Sequence, residues 1–237
     1  MPADGQSPLD RFSGRDTWVF DLDNTLYPAE CDLFAEIDQR MTDFVARFLR
    51  LDRETARATQ KKYYAEHGTT LNGLMTMHGM EPEDFLAHVH EIDLSPLPRS
   101  AALANAIGAL PGKKYVYTNG SRRHADRVTE YMGLNHLFDG RFGIEDSAYT
   151  PKPAQTSYDA FCQNFSIAPQ ESVFFEDLSR NLAPAHAMGF ATVLVQSDKD
   201  WSHEPEDARP AGIGDDQGEH IDYVTDNLTQ FLQSLTN

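Results

Sequence analysis

Thr17-Trp18-Val19-Phe20-Asp21-Leu22-Asp23-Asn24-Thr25 reads as a buried strand that runs into a cluster of acids. Thr17 to Phe20 are β-branched or aromatic, the side chains that suit a strand covered on both faces. Asp21 and Asp23 stand two apart, so in extended backbone they point to the same side. Two neighbouring carboxylates repel, and the pair is costly unless a cation or a shared proton stabilises it. An exposed Asp-rich turn with Asn24 as a cap is the ordinary explanation of such a pair. The apolar run before it argues otherwise, because it places the acids at the end of a buried strand.

Outward from this strand the chain changes character twice. Residues 1–15 read as a polar lead-in, with no basic segment followed by an apolar one, so no signal peptide is expected. From 28 to about 95 strand signals are absent. Leu33, Phe34, Ile37, Met41, Phe44, Val45, Phe48 and Leu49 recur at spacings of three and four, which predicts one helix with an apolar stripe. Asp52 is placed to cap a second helix through Tyr63 and Tyr64, and short helices are expected around 71–77 and 82–90.

After Pro96 and Pro98 strands and helices alternate. A helix near 99–109 precedes the strand Lys114–Tyr117, which ends in Thr118-Asn119-Gly120-Ser121. A helix to about Met132 is closed by Gly133, and a short strand near Phe142 leads to Thr150-Pro151-Lys152-Pro153. A helix to about Phe165 precedes Ser172–Phe175, a strand that ends in Glu176-Asp177. A helix ending at Gly189, the strand Ala191–Val195, a polar loop over 196–220, an edge strand at Ile221–Val224 and a terminal helix complete the chain. Short β-branched strands alternating with helices predict a Rossmann-like α/β core, a parallel sheet wrapped by helices. In such sheets ligands bind outside the carboxyl ends of the strands, where the polar tripeptides fall. The loop over 196–220 leaves a strand at that same end but reads as a solvated segment.

The chain has 237 residues, enough for a substantial core, and 37 acidic against 20 basic residues give a net charge of −17. That charge repels nucleic-acid polymers and anionic membranes. It permits a small anionic ligand, provided a local cation draws it in. The longest apolar runs are too short to span a bilayer. Cys31 and Cys162 read as free thiols of a reducing cytoplasm, although their number also allows one bridge.

Asp21-Leu22-Asp23-Asn24-Thr25 resembles the first motif of the haloacid dehalogenase-like hydrolase superfamily. Thr118-Asn119-Gly120 is similar to its second motif, Lys152 to its third and Glu176-Asp177 to its fourth, in the superfamily's order over residues 17–195. The resemblance implies a phosphomonoesterase. Asp21 would be the nucleophile that forms an aspartyl-phosphate, and Asp23 the acid and base. Thr118, the Asn119 amide and Lys152 would hold the phosphoryl oxygens. Asp21, the Asp23 main-chain carbonyl and Asp177 would bind Mg²⁺, with Glu176 holding a bound water behind them. Some members carry a further Asp or Asn after the fourth motif; Asn181 stands near that place and receives no role from the sequence. The dehalogenase branch lacks an acid at the position of Asp23, and the P-type ATPase branch needs transmembrane helices. A degenerate, non-catalytic binding protein would be expected to have lost Asp21, Asp23 or Lys152, and all three are present.

The helical stretch 28–95 has the place and length of the cap inserted in one branch, which divides the chain into a core of 1–27 with 96–237 and a cap of 28–95. Tyr63-Tyr64-Ala65-Glu66-His67-Gly68, followed by Leu71-Asn72-Gly73-Leu74, resembles the cap signature of the pyrimidine 5′-nucleotidase subfamily. Asp23-Asn24-Thr25-Leu26-Tyr27-Pro28 and Phe174–Asn181 are similar to that subfamily as well. The resemblance implies a nucleoside 5′-monophosphate as substrate, with Tyr64, His67 and Leu71 around the base. An amphipathic helix face explains Tyr63, Tyr64 and His67 equally simply, and a phosphatase for phosphoglycolate or a sugar phosphate is the other reading. Lys61 and Lys62 read as exposed helix positions. His88 and His90 face different ways and make poor joint metal ligands. The sequence does not set the oligomeric state, and a homodimer is compatible with it.

Overall fold

In a computed structural model, which describes residues 11–201, 209–213 and 218–236, six strands form one fully parallel sheet. They are β1 (Thr17–Phe20), β2 (Lys113–Tyr117), β3 (Gly140–Phe142), β4 (Ser172–Glu176), β5 (Ala191–Val195) and β6 (Tyr223–Thr225), in the order β3-β2-β1-β4-β5-β6. The helices are α1 (Leu33–Leu49), α2 (Arg53–His67), α3 (Thr70–His78), α4 (Pro82–Val89), α5 (Ala101–Ala109), α6 (Arg122–Tyr131), α7 (Gln155–Phe165), α8 (Ser179–Met188) and α9 (Leu228–Ser234). From β1 the chain builds outward to β2 and β3 on one side, then returns to lay β4, β5 and β6 on the other. The reversal opens a crevice at the carboxyl end of β1. Phe20 is level with Val116 of β2 and Phe175 of β4, so Asp21 emerges level with Tyr117 and Glu176, and Thr118 follows one residue beyond.

The central strands are apolar on both faces because helices cover both. Trp18, Phe20, Val116, Val173, Phe175 and Val193 pack on one face with residues of α5, α6 and α9. Val19, Tyr117, Phe174 and Leu194 pack on the other against Phe161 of α7 and Leu182 of α8. Alternation along the strand thus sorts neighbours in sequence into two layers. Phe20 stacks on Phe175 at 4.6 Å in the first layer, and Tyr117 stacks on Phe161 at 4.6 Å in the second.

The expected helices between β1 and β2 form. Asp52 accepts from the Thr55 amide at 3.0 Å and caps α2, and Thr69 caps α3 in the same way. The apolar stripe of α1 is buried at Leu33, Ile37, Phe44 and Val45, but Phe48 is 41% exposed. It stacks on Phe44 and meets His78 of α3 edge-on at the rim of the stripe. Gly73 is required by close packing: a Cβ there would lie 2.4 Å from that of Tyr63, so its absence lets α3 settle on α2.

Three expectations need correction. The lead-in is not polar throughout. Residues 1–10 lie outside the described residues, but Phe12 is 3% exposed and packs edge-on against Phe231, while Arg15 donates to the Ser172 carbonyl at 2.6 Å. The helix after β2 ends one residue early, with Met132 as its cap and Gly133 following at φ +76°. The loop over 196–220 is not simply solvated: 202–208 and 214–217 lie outside the described residues, yet Trp201 is buried beside the crevice. Both cysteines are free, and no helix among the described residues is long and apolar enough to cross a membrane.

Candidate active site

Where β1 ends, the Asp21 amide donates to the Phe175 carbonyl at 2.9 Å, which extends the ladder and fixes the carboxylate at the mouth of the crevice. The Lys152 ammonium, 1% exposed, donates to Asp21 Oδ1 at 2.7 Å, to Glu176 Oε1 at 2.8 Å and to the Tyr117 carbonyl at 2.9 Å. The lysine reaches this place because its loop is tied down by the second motif. Asn119 Oδ1 accepts from the Lys152 amide at 2.8 Å, and Asn119 Nδ2 donates to the Lys152 carbonyl at 3.1 Å. Thr118 lies at the end of β2, and its Oγ1 accepts from the Gly120 amide at 2.9 Å.

Glu176 is fully engaged. Its Oε1 also accepts from Asn181 Nδ2 at 2.6 Å, and its Oε2 accepts from the Leu178 amide at 2.7 Å. This gives Asn181 a role that its position alone did not reveal: it holds the glutamate that holds the lysine. Asn181 Oδ1 is buried and without a hydrogen-bond partner, on the wall of the same cavity.

The charges are unbalanced. Burial pushes Asp21 up to about 7, with Glu176 and Asp23 adding to it and Lys152 opposing. Burial and the nearby Glu176 and Asp21 raise Asp177 well above the usual carboxylate range. Burial would raise Glu176 too, but the Lys152 charge and its hydrogen bonds hold it low. Among the described residues Asp21, Glu176 and Asp177 are the one cluster of three or more side chains that could hold a metal ion, with oxygens within 4.8 Å of one another. Three buried carboxylates against a single ammonium leave excess negative charge. A hard divalent cation fits such an oxygen-rich set, which Asn181 Oδ1 also borders.

Asp23 has separate surroundings that the sequence did not disclose. Its Oδ1 accepts from the Tyr27 hydroxyl at 2.5 Å and from His124 Nε2 at 2.9 Å. Burial alone would raise this carboxyl, but the two donors and the adjacent imidazoles hold it below the usual range. His124 follows the cap residue Ser121 by three, so it sits in the first turn of α6 directly after the second motif. That spacing is the signal that could have found it. His90, at the end of α4, stacks on His124 at 4.3 Å, while His88 packs near Phe44.

Over these groups α1–α4 close a cavity of about 160 Å³. Phe34, Ile37, Met41, Leu71, Phe85 and Val89 supply an apolar wall, with Trp201 and Pro210 at one side. Lys61 is not an exposed helix residue: it lines the cavity and donates to Asp38 at 2.8 Å, beside Gln60 and Arg57, which donate to the same carboxylate. Lys62 is exposed, as expected, and pairs with Glu66. Tyr64 and Leu71 line the cavity, but the Arg180 guanidinium lies 4.9 Å over the Tyr64 ring and also donates to its hydroxyl. His67 does not line it; its ring packs edge-on against Tyr63 at 5.9 Å. Gly68, at φ +79°, brings the end of α2 against Pro151, so that helix meets the loop that carries Lys152.

Known proteins resemble this chain in sequence and in fold. The chain is 25% identical over 210 residues to "Phosphate metabolism protein 8" of Saccharomyces cerevisiae, covering 81% of this chain and 64% of that one. It is 30% identical over 134 residues to an "Enolase-phosphatase E1" of Xylella fastidiosa, covering 55% and 53%, so it spans between about half and two thirds of these two relatives. A "Phosphoglycolate phosphatase" of Pasteurella multocida is 26% identical over 211 residues, covering 83% and 92%. Among solved structures, the HAD phosphatase from Thermococcus onnurineus superposes with a TM-score of 0.61 at 18% identity, covering 93% and 97%. The L-2-haloacid dehalogenase from Xanthobacter autotrophicus gives 0.57 at 18% identity, covering 92% and 97%. At such identity these two show the fold alone. The family model for haloacid dehalogenase-like hydrolase matches residues 16–189, which contain Asp21, Thr118, Lys152 and Glu176, and the chain belongs to that family.

Proposed function

We propose that this hydrolase is a Mg²⁺-dependent phosphomonoesterase that works through an aspartyl-phosphate on Asp21, with pyrimidine nucleoside 5′-monophosphates as its substrates. The observation that carries the reading is the buried Asp21–Lys152–Glu176 chain, with Asp23 on the same cavity wall. Lys152 occupies one oxygen of Asp21 and fixes the direction of the other, which is left for in-line attack. It also supplies the local cation that a phosphoryl group needs in a protein of net charge −17. Thr118 and the Asn119–Gly120 main chain line the cavity beside it and are placed to receive phosphoryl oxygens. Asp23 is the acid toward the leaving oxygen and then the base toward water. Asp21, Asp177 and the Asp23 carbonyl would hold Mg²⁺, which when bound screens the nucleophile from the anionic phosphoryl group. Glu176 stays behind them, holding Lys152.

Residues 28–95 act as a cap that excludes water and reads the leaving group. The cavity is small and apolar away from the acids, which favours a single ring over a fused one. Leu71 and the ring of Tyr64 belong to that wall, and Arg180 fixes the tyrosine. The likeness to a phosphoglycolate phosphatase over 83% of the chain keeps a small phosphate ester as the second reading. The test is phosphate release from UMP, CMP, AMP, GMP, phosphoglycolate and sugar phosphates, with Mg²⁺ and with chelator. Preference for UMP or CMP supports the reading; preference for AMP, or release unaffected by chelator, contradicts it.

A further inference from the structure

The surroundings of Asp23 are asymmetric. Tyr27 and His124 both reach Oδ1, and among the described residues no donor reaches Oδ2. Asp23 lines the cavity, and its side chain keeps 14% of its surface exposed. His124 itself is completely buried. Its Nε2 faces a carboxylate oxygen and therefore carries the hydrogen, while its Nδ1 is buried without a partner. With nothing placed to receive a hydrogen at Nδ1, Nε2 is the nitrogen through which the ring reaches Asp23. The ring is held in that orientation from two directions. His90 stacks on it nearly parallel, at 11°. Ser121 Oγ accepts from the His124 amide at 3.1 Å and shares a hydrogen bond with His90 Nδ1 at 3.0 Å, which ties the two rings together.

We infer that His124 and Tyr27 are positioning residues that clamp Asp23 by Oδ1 and thereby assign Oδ2 as the oxygen that moves the proton. The inference rests on the phosphatase reading. Asp23 enters the cycle with a proton on Oδ2, which it gives up readily because the Tyr27 and His124 donors on Oδ1 favour the carboxylate; as Asp21 forms its bond to phosphorus and the ester P–O bond breaks, that proton passes to the leaving oxygen. Oδ1 keeps both of its donors throughout, so the carboxylate does not rotate. In the second half Oδ2 takes a proton from the attacking water, the Asp21–phosphorus bond breaks, and Asp23 is returned to its protonated form. Without the clamp the carboxyl turns about its Cβ–Cγ bond, and its proton is no longer aimed at the ester oxygen.

Leaving-group dependence separates this role from a structural one. An alkyl phosphate needs a proton on its departing oxygen, whereas nitrophenolate departs without one. The kcat/KM of wild type, His124→Asn, His124→Gln and Tyr27→Phe is measured on p-nitrophenyl phosphate and on the alkyl phosphate that the wild type hydrolyses best. Melting temperatures report the fold. His124→Asn should lose about 100-fold on the alkyl ester and less than about 3-fold on the aryl ester. His124→Gln, whose amide can put an N–H near the Nε2 position, should recover most of the alkyl activity. Tyr27→Phe, which adds no volume, should show the same split more weakly, and it carries the test if a His124 variant fails to fold. Equal losses on both esters in folded variants overturn the inference and leave the phosphatase reading standing. A wild type that releases phosphate from neither ester overturns both.

Discussion

Removing the nucleophile should stabilise the metal-free protein as pH rises. Burial and the neighbouring acids lift Asp21 from 3.8 to about 7 in the fold, even with Lys152 beside it. A carboxyl raised in this way contributes stability that is complete below its unfolded value and is lost as pH climbs through its folded one. At about pH 5 the folded chain still holds that proton, roughly two pH units below the folded value. Each unit corresponds to about 1.4 kcal/mol, so ionising Asp21 between about pH 5 and pH 8 costs on the order of 3 kcal/mol. Asp177 is also raised, for the same reason, and acts with the same sign. His90 is held well below its ordinary 6.5 by burial and by His124, which makes stability rise with pH up to that value, but it is present in both proteins being compared. Urea denaturation followed by circular dichroism, in chelator, compares wild type with Asp21→Asn at these two pH values. The variant should gain about 3 kcal/mol relative to wild type on going from the lower to the higher. Mg²⁺ at the higher pH should return stability to the wild type by replacing the lost protons, and do less for the variant. A difference that stays constant with pH, or moves in the wild type's favour, refutes the charge assignment.

Three further outcomes follow from the geometry. Asp177→Ala should raise the Mg²⁺ concentration needed for half-maximal phosphate release by at least about 10-fold and change the substrate KM less, as measured by metal titration at fixed ester. Tyr64→Ala should weaken the preference for pyrimidine nucleotides more than it lowers turnover of a small phosphate ester; equal losses would mean that the tyrosine serves only to hold Arg180. Gly73→Ala, which would put a methyl group 2.4 Å from Tyr63 Cβ, should destabilise the α2–α3 contact by about 1–3 kcal/mol and lower the melting temperature, while a neutral substitution would show that this contact yields easily.

Most of the fold was legible because its signals are local. Four consecutive β-branched or aromatic residues at Thr17–Phe20 announce a strand, and spacings of three and four announce α1. The order of the strands was not read from the sequence, since it depends on which crossovers pack against which face. The core acids were readable because they stand at strand ends, where a parallel sheet gathers residues distant in sequence, whereas Lys152 lies in a loop ten residues past β3 and was readable from its place between two prolines and between the second and fourth motifs. His124 and Arg180 were missed because they act through partners 101 and 116 positions away, and pairings of that kind leave no periodic trace; Tyr27 reaches Asp23 only four positions back, but across an irregular turn rather than along a helix. Lys61 was misread for a related reason. A lysine on a polar helix face looks solvated until the buried Asp38 of a neighbouring helix is set opposite it. Phe12 and Trp201 show the same limit in apolar form, each a single aromatic in a polar stretch, the first packed on Phe231 of α9 and the second buried at the side of the cavity.

The central claim is a phosphoryl group carried on Asp21. Enzyme mixed with its best phosphate ester and Mg²⁺, quenched in acid during turnover and digested for mass spectrometry, reports that bond directly. Phosphate on the peptide at Asp21 in the wild type, absent from Asp21→Asn together with turnover, is the predicted result. Rapid phosphate release with no modified Asp21, or Asp21→Asn turning over near the wild-type rate, would contradict it.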